Sequence, residues 1–249
     1  MSGPVPTLAA LRESLQAITG EGRDRPVLPF GVAALDDRLG DHGLRRDALH
    51  EVSSRGAGWG DDAAALLFAA GIAARTTGQV LWVVRSRDLF APGLYQAGLD
   101  PARVVYAEAR DDAELLALLE EGLRHRALGA VVGEAKRVQM AQARRLQLAA
   151  EVGATPALLL RRPTRDGSDP ATAPSPAVTR WRIAHAPSPP VPWGGLGRAC
   201  WQVACVRQRG GDPFELLLEG CDETGRLALP AQLVDRPVAA DRAPRRALG

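Results

Sequence analysis

The sequence predicts one α/β domain: a mostly parallel central sheet with helices on both faces, finished by an antiparallel C-terminal hairpin. Three observations lead there. Between Leu28 and about Ala186, short apolar runs alternate with stretches of helical period. Val80-Leu81-Trp82-Val83-Val84 is apolar without alternation, as a strand must be when both faces of its sheet are covered. Later, Trp201 to Gln208 and Phe214 to Glu219 flank Gly210-Gly211-Asp212-Pro213, which reads as a hairpin. At 249 residues the chain can bury one substantial core. The predicted organisation is a helix and linker over 1–27, the domain over 28–229, and a Pro/Arg-rich disordered tail over 230–249.

The elements follow in order. Leu8, Leu11, Leu15 and Ile18 recur at three-to-four spacing, so residues 6–19 should form an amphipathic helix, docked on its own core or on another subunit. Leu49-His50-Glu51-Val52 is a strand running into a glycine-rich loop, and Asp61 to Ala74 is an alanine-rich helix. Asp111, with Glu114 three residues on, has the form of a capping box for the helix carrying Leu115, Leu118, Leu119 and Leu123. Ala130-Val131-Val132 is the next strand. A helix from about Arg137 to Glu151 stops at Gly153, and Ala157 to Leu160 is a buried strand. Residues 163–178 carry Pro163, Pro170, Pro174 and Pro176 among small polar residues and should be mobile. Val178 to Ile183 is a strand, and Arg226 to Leu229 a further short one.

Composition excludes several classes. A net charge of +2 with 24% charged residues announces no nucleic-acid partner through a global field. Cys200, Cys205 and Cys221 lack C-x-x-C spacing, which argues against a disulfide framework or zinc site and for a reducing compartment. His42, His50, His125 and His185 are scattered without metal-ligand spacing, and no Ser/His/Asp or Cys/His arrangement stands out. Neither a signal-type N-terminus nor an apolar run of membrane-spanning length is present, so the expectation is a cytoplasmic protein without metal or cofactor.

The chemistry-bearing stretch is Arg55-Gly56-Ala57-Gly58-Trp59-Gly60-Asp61-Asp62. A phosphate loop reads G-x-x-x-x-G-K-[ST]: its amides cradle phosphates, its lysine reaches the β/γ oxygens and its hydroxyl holds Mg²⁺. Aligned on Gly60, Arg55 stands at the first glycine, Asp61 at the lysine and Asp62 at the hydroxyl residue. The chain's one lysine, Lys136, is far away in sequence. A carboxylate at a helix N-terminus caps amides and complements the dipole, so Asp61 and Asp62 would replace the phosphate with the protein's own side chains.

The order Leu28-Pro29-Phe30-Gly31, Leu35-Asp36, Leu39-Gly40, Gly43-Leu44 and Leu49-His50-Glu51-Val52 resembles the start of the RecA ATPase core. Pro92, Tyr95, Gly98, Leu99 and Asp100 are similar in spacing to a later RecA segment, so the resemblance covers about 28–185. Thr179-Arg180-Trp181-Arg182-Ile183 after a Pro/Ser loop, with the late hairpin, resembles the ImuA family of the bacterial SOS mutagenesis cassette. The resemblance implies a RecA-like fold and a role in damage-induced translesion synthesis. Its implied partners are ImuB, a catalytically defective Y-family polymerase homologue, and through it an error-prone polymerase III α subunit. RecA and single-stranded DNA are further candidates. The division inhibitor SulA is a shorter, more distant fit.

Judged against a working RecA ATPase, the remaining positions also depart. Val84-Arg85-Ser86-Arg87-Asp88 lacks the glutamate that would activate water, with Asp88 a displaced candidate. Ala130-Val131-Val132-Gly133-Glu134 keeps a carboxylate one step late, readable as a paired strand-end residue or a residual metal ligand. Arg161-Arg162 stand where the resemblance implies a γ-phosphate-sensing glutamine. The expectation is therefore a degenerate site at Arg55, Gly56, Gly58, Gly60, Asp61, Asp62 and Glu134, without catalysis.

Two interaction surfaces are candidates. Arg161, Arg162, Arg165, Arg180, Arg182, Arg198, Arg207 and Arg209, interleaved with Trp181, Trp193 and Trp201, suit single-strand stacking and phosphate contact, although a solvated basic face over core tryptophans is the plainer reading. Arg236, Arg242, Arg245 and Arg246 mark a tail that could fold on a partner. The sequence therefore points to a non-catalytic RecA-like adaptor in lesion bypass; a divergent recombinase-like ATPase and a SulA-like division inhibitor are the alternatives.

Overall fold

The structure is a computed structural model that describes residues 25–86, 89–162, 169–191 and 195–230. The N-terminal helix and tail predicted from the sequence lie outside those residues. A two-stranded antiparallel ribbon, β1 (Val27–Leu28) and β2 (Leu44–Arg45), brackets a one-turn helix, α1 (Ala33–Asp36). Asp36 closes this unit, its carboxylate accepting the amides of Phe30 and Gly31 at 2.8 Å each.

The main sheet is built from β3 (Leu49–Ser54), β4 (Gln79–Val84), β5 (Val104–Glu108), β6 (Leu128–Glu134), β7 (Ala157–Arg161), β8 (Thr179–Ala186), β9 (Cys200–Gln208) and β10 (Phe214–Glu219). Their order across the sheet is β10-β9-β8-β3-β7-β6-β4-β5. Pairing is parallel from β8 to β5, while β8, β9 and β10 pair antiparallel. All six residues of β3 are buried, as expected for a central strand covered on both faces.

One face is covered by α2 (Trp59–Ala74), whose Phe68 joins Phe30, Trp181 and Phe214 in an aromatic cluster. Ring centroids there are 5.4–6.0 Å apart, within the range of favourable edge and offset contacts. The other face is covered by α4 (Asp112–Arg124) and α5 (Met140–Gly153), which pack Leu115, Leu119, Leu123 and Leu146 on Leu49, Val83 and Leu159. A short helix, α3 (Ala91–Gln96), follows β4. The segment after β10 lies against α2 at Gly71, where a Cβ would stand 2.1 Å from the Cys221 sulfur. Gly98, at φ +86°, meets Gly225 as closely: a Cβ would fall 2.2 Å from its amide nitrogen.

Several elements differ from the sequence prediction. Helix α2 starts at Trp59 rather than Asp61, and α5 starts at Met140, because Gln139 is extended and its amide is held by the Gln142 side chain at 2.9 Å. The predicted capping box is half formed: Asp111 accepts from the Glu114 amide at 2.9 Å, but Glu114 accepts from Arg110, not Asp111. Arg226 to Leu229 makes a single bridge, Glu219 to Ala228, instead of a strand. Edge strand β5 has no counterpart in the sequence reading; Val105 and Tyr106 are exposed, so the apolar signal of a buried strand is absent.

Of the stretch 163–178, residues 169–178 lie among those described, and side chains from β3 and β8 bind them. Arg180 donates to the carbonyls of Pro170, Ala171 and Ala173 at 2.7, 2.7 and 2.6 Å. Ser175 donates its hydroxyl to Glu51 at 2.7 Å. Backbone carbonyls that water would otherwise serve are thus bound by a buried guanidinium.

Candidate functional site

The loop leaving β3 carries the predicted site residues into one neighbourhood. Gly58 takes the N-cap position of α2 with no side chain capping the helix, so the expected capping by Asp61 and Asp62 of that helix's own amides is not what forms. Both still lie in its first turn, where the helix dipole favours them. Asp61 instead reaches back and across. One carboxylate oxygen accepts the Gly56 amide at 3.0 Å and the other accepts the His185 amide of β8 at 2.9 Å. Asp62 accepts the Ser54 hydroxyl at 2.6 Å. Arg55 turns away from the loop, donating to Gln202 at 2.9 Å and pairing with Glu215 at 2.8 Å.

Glu134 ends β6, and one strand, β7, separates it from the loop-bearing β3. Arg162, just past β7, pairs with Glu134 at 2.9 Å and approaches Asp62 at 3.9 Å. A guanidinium thus bridges the strand-end carboxylate and the carboxylate that stands at the loop's hydroxyl position. These residues do not fit a magnesium triphosphate: an aspartate accepts the loop amide a phosphate would need, and no cation comes from the first turn of α2. Beside them a cleft of about 350 Å³ opens at the carboxyl ends of β4, β6 and β7, lined by Arg85, Glu134, Lys136 and Arg162 over Leu66, Trp82, Leu89 and Leu160. Sequence reasoning read Lys136 only as misplaced and gave Arg85 no role; the signal for both was their position just past strand ends.

The basic set predicted to contact DNA or a partner is dispersed by strand alternation. Trp181 is 1% exposed in the aromatic core, its indole N–H donating to Thr179 at 2.6 Å, so it offers no stacking surface. Arg180, on the opposite face and 3% exposed, is spent on Glu51 at 2.7 Å and on the carbonyls above. These two assignments are corrected: both residues hold the interior together. Arg161 is mostly buried near Glu51, 3.7 Å away, and burial lowers its pKa from the ordinary arginine value. Arg182 pairs with Asp169. Among the described residues of this set Arg162 reaches the loop region; Arg165, Asp88, Trp193 and the tail arginines Arg236, Arg242, Arg245 and Arg246 lie outside the described residues.

His50 is wholly buried, one ring nitrogen 2.7 Å from the Arg45 carbonyl and the other 2.7 Å from the Thr179 hydroxyl. Burial pushes its pKa down to about 4. Burial also drives the Cys205 and Cys221 thiols up to about 12, so neither is a poised nucleophile. Among the described residues no group of three or more His, Cys, Asp or Glu is placed to hold a metal, and no helix is long and apolar enough to cross a membrane.

Sheet order, a glycine-rich loop running from a central strand into a helix, and an acidic strand end one strand over define a RecA-like α/β protein with Asp61 and Asp62 in the first turn of that helix. The solved RadB recombinase shares the fold, with a TM-score of 0.59 at 15% identity over 82% of this chain and 100% of that one. No protein-family model matches the chain. In sequence it is 41% identical over 236 residues to Protein ImuA of Caulobacter vibrioides NA1000, covering 89% of this chain and 96% of that protein. The same protein of strain CB 15 gives the same figures. The chain belongs to the ImuA family.

Proposed function

We propose that this protein is a non-catalytic adaptor of damage-inducible translesion DNA synthesis in the cytoplasm, with ImuB as its direct partner. The polymerase III α subunit would be reached through ImuB, and RecA or single-stranded DNA are candidate further contacts. Family membership supports the setting. The observation that carries the non-catalytic part is the Asp61 carboxylate, which accepts the Gly56 amide and so takes the role of a bound phosphate.

Magnitudes favour this reading over a divergent ATPase. A unit anion about 4 Å from another is repelled by about 4 kcal/mol at an effective dielectric near 20. The missing lysine removes an attraction of similar size, and each ~1.4 kcal/mol is a tenfold change in affinity. Arg162 offsets part of this, but it is already engaged by Glu134. Calorimetry with Mg-ATP should therefore show no saturable heat, and micromolar affinity would revive the ATPase reading. Capture of ImuB by the full chain is the matching positive test. Capture of the division tubulin instead would favour the SulA-like alternative.

A further inference from the structure

We infer that the exposed stripe of α5 is the seat of this chain's own N-terminal segment, residues 6–19, docked there as an amphipathic helix. The stripe consists of Ala141, Arg144, Leu148 and Val152, all exposed, on the helix whose other side packs Leu146 and Ala150 toward Leu49 and Leu159. Leu148 is 60% and Val152 58% exposed, and a spacing of four residues puts them on one face. Arg145, beside them, is tied to Glu120 of α4, so the stripe borders that helix as well.

What covers the stripe follows from where the described chain begins. Val27 pairs with Arg45, and the Pro26 carbonyl accepts the Arg46 amide at 2.7 Å, so Arg25 enters beside the segment leading into β3. The first amide of β3, on Leu49, donates to Gln147 of α5 at 3.0 Å, one residue before Leu148. The chain therefore enters at the end of α5 that carries Leu148 and Val152. Gly20 to Asp24, ahead of it, can span roughly 17 Å when extended. Other exposed apolar groups are farther off. Trp59 and Phe90 follow the carboxyl ends of β3 and β4, and Val105 and Tyr106 lie on β5, four strands or about 19 Å from β3. A helix over 6–19 matches α5 in length, 14 residues or about 21 Å. With its end at Thr19 held by that linker, it runs in the same direction as α5. Ile18 then meets Val152 and Leu15 meets Leu148, while Leu8, seven residues before Leu15, meets Ala141, seven before Leu148. An isolated helix this short is marginal in water, so its apolar side needs such a surface.

The test is hydrogen exchange read by mass spectrometry on the full chain, at two well-separated protein concentrations. Amides of 11–18 should be protected equally at both. Leu148→Asp, at a position already exposed, should cut that protection at least about tenfold while the β3 amides keep theirs. Leu15→Cys combined with Leu148→Cys should close a disulfide within one chain under mild oxidation, which decides the matter if Leu148→Asp also loosens β3. Full exchange of 11–18 in the unaltered chain, or protection indifferent to Leu148→Asp, overturns the proposal. So does protection that fades on dilution with the disulfide joining two chains, which would make the occupant a second copy. Protected amides with a cysteine pair that never closes overturn it as well, since the helix then lies elsewhere.

Discussion

Strand β3 is satisfied differently along its length, although β8 supplies partners to both parts. In its buried middle, His50 and Glu51 point to opposite faces and meet Thr179 and Arg180. At its carboxyl end, Ser54 and the loop to Asp62 meet the His185 amide and the Arg162 guanidinium. The strand is closed to water as far as Ser54; the loop that continues its carboxyl end is open. The same exchange of partners therefore has unequal consequences. An acid-base pair removed from water is costly to break, because the survivor is left charged and unsolvated. At the open end water can replace either partner, and what the acidic residues alter is ligand preference rather than stability.

The largest effect should come from breaking the closed pair. Arg180→Met leaves Glu51, at 4% exposure, to the Ser175 hydroxyl and the more distant Arg161, and frees three carbonyls, so it should cost about 3–5 kcal/mol in urea unfolding. It should also open 169–176 to limited proteolysis. A loss under about 1 kcal/mol would show that the interior of β3 is as well hydrated as its end.

His50 gives the next effect, through pH. Its pKa in the folded protein is depressed to about 4, below the ordinary 6.5, so the unfolded chain binds the extra proton between those values. Its contribution is fully present above pH 6.5 and is lost as pH falls toward 4, by about 3 kcal/mol in total. The pH slope of unfolding free energy over this window should flatten in His50→Gln. A slope unchanged by that substitution would place the proton uptake elsewhere.

These two regions were also unequally legible in the sequence. The loop's departure from a phosphate loop could be read residue by residue, because a linear motif fixes what Asp61 and Asp62 replace. Helices and buried strands followed from apolar period. The fate of Arg180 and Trp181 could not be read, since alternation on β8 sends neighbours to opposite faces and the sequence does not say what waits there. Glu51, Ser175 and Arg180 are brought together only by the pairing of β3 with β8. The cleft is likewise a product of strand order: Arg85, Lys136 and Arg162 leave three strands that adjoin in space, not in sequence.

At the open end, Asp61→Ala removes the acceptor for two backbone amides. Bonds to a charged acceptor that water can partly replace are worth about 1–2 kcal/mol together, less than at the closed pair. Hydrogen exchange at Gly56 and His185 should quicken more than at the buried amides of β3. If both amides stay protected, the loop is held by something other than that carboxylate.

The smallest effect belongs to Arg55, the residue standing at the first loop glycine. Its pair with Glu215 is 2.8 Å long, yet the side chains are 45% and 41% exposed. Exposed pairs of this kind contribute roughly 0–1 kcal/mol, because water screens them and two long side chains must be ordered. Arg55→Ala should therefore lower stability by less than about 1 kcal/mol, and molar salt should erase most of the difference. Its hydrogen bond to Gln202 ties the loop to β9, so a larger, salt-insensitive loss would mean that this end of β3 is built for stability after all. That result would blur the distinction between the strand's closed middle and its open end.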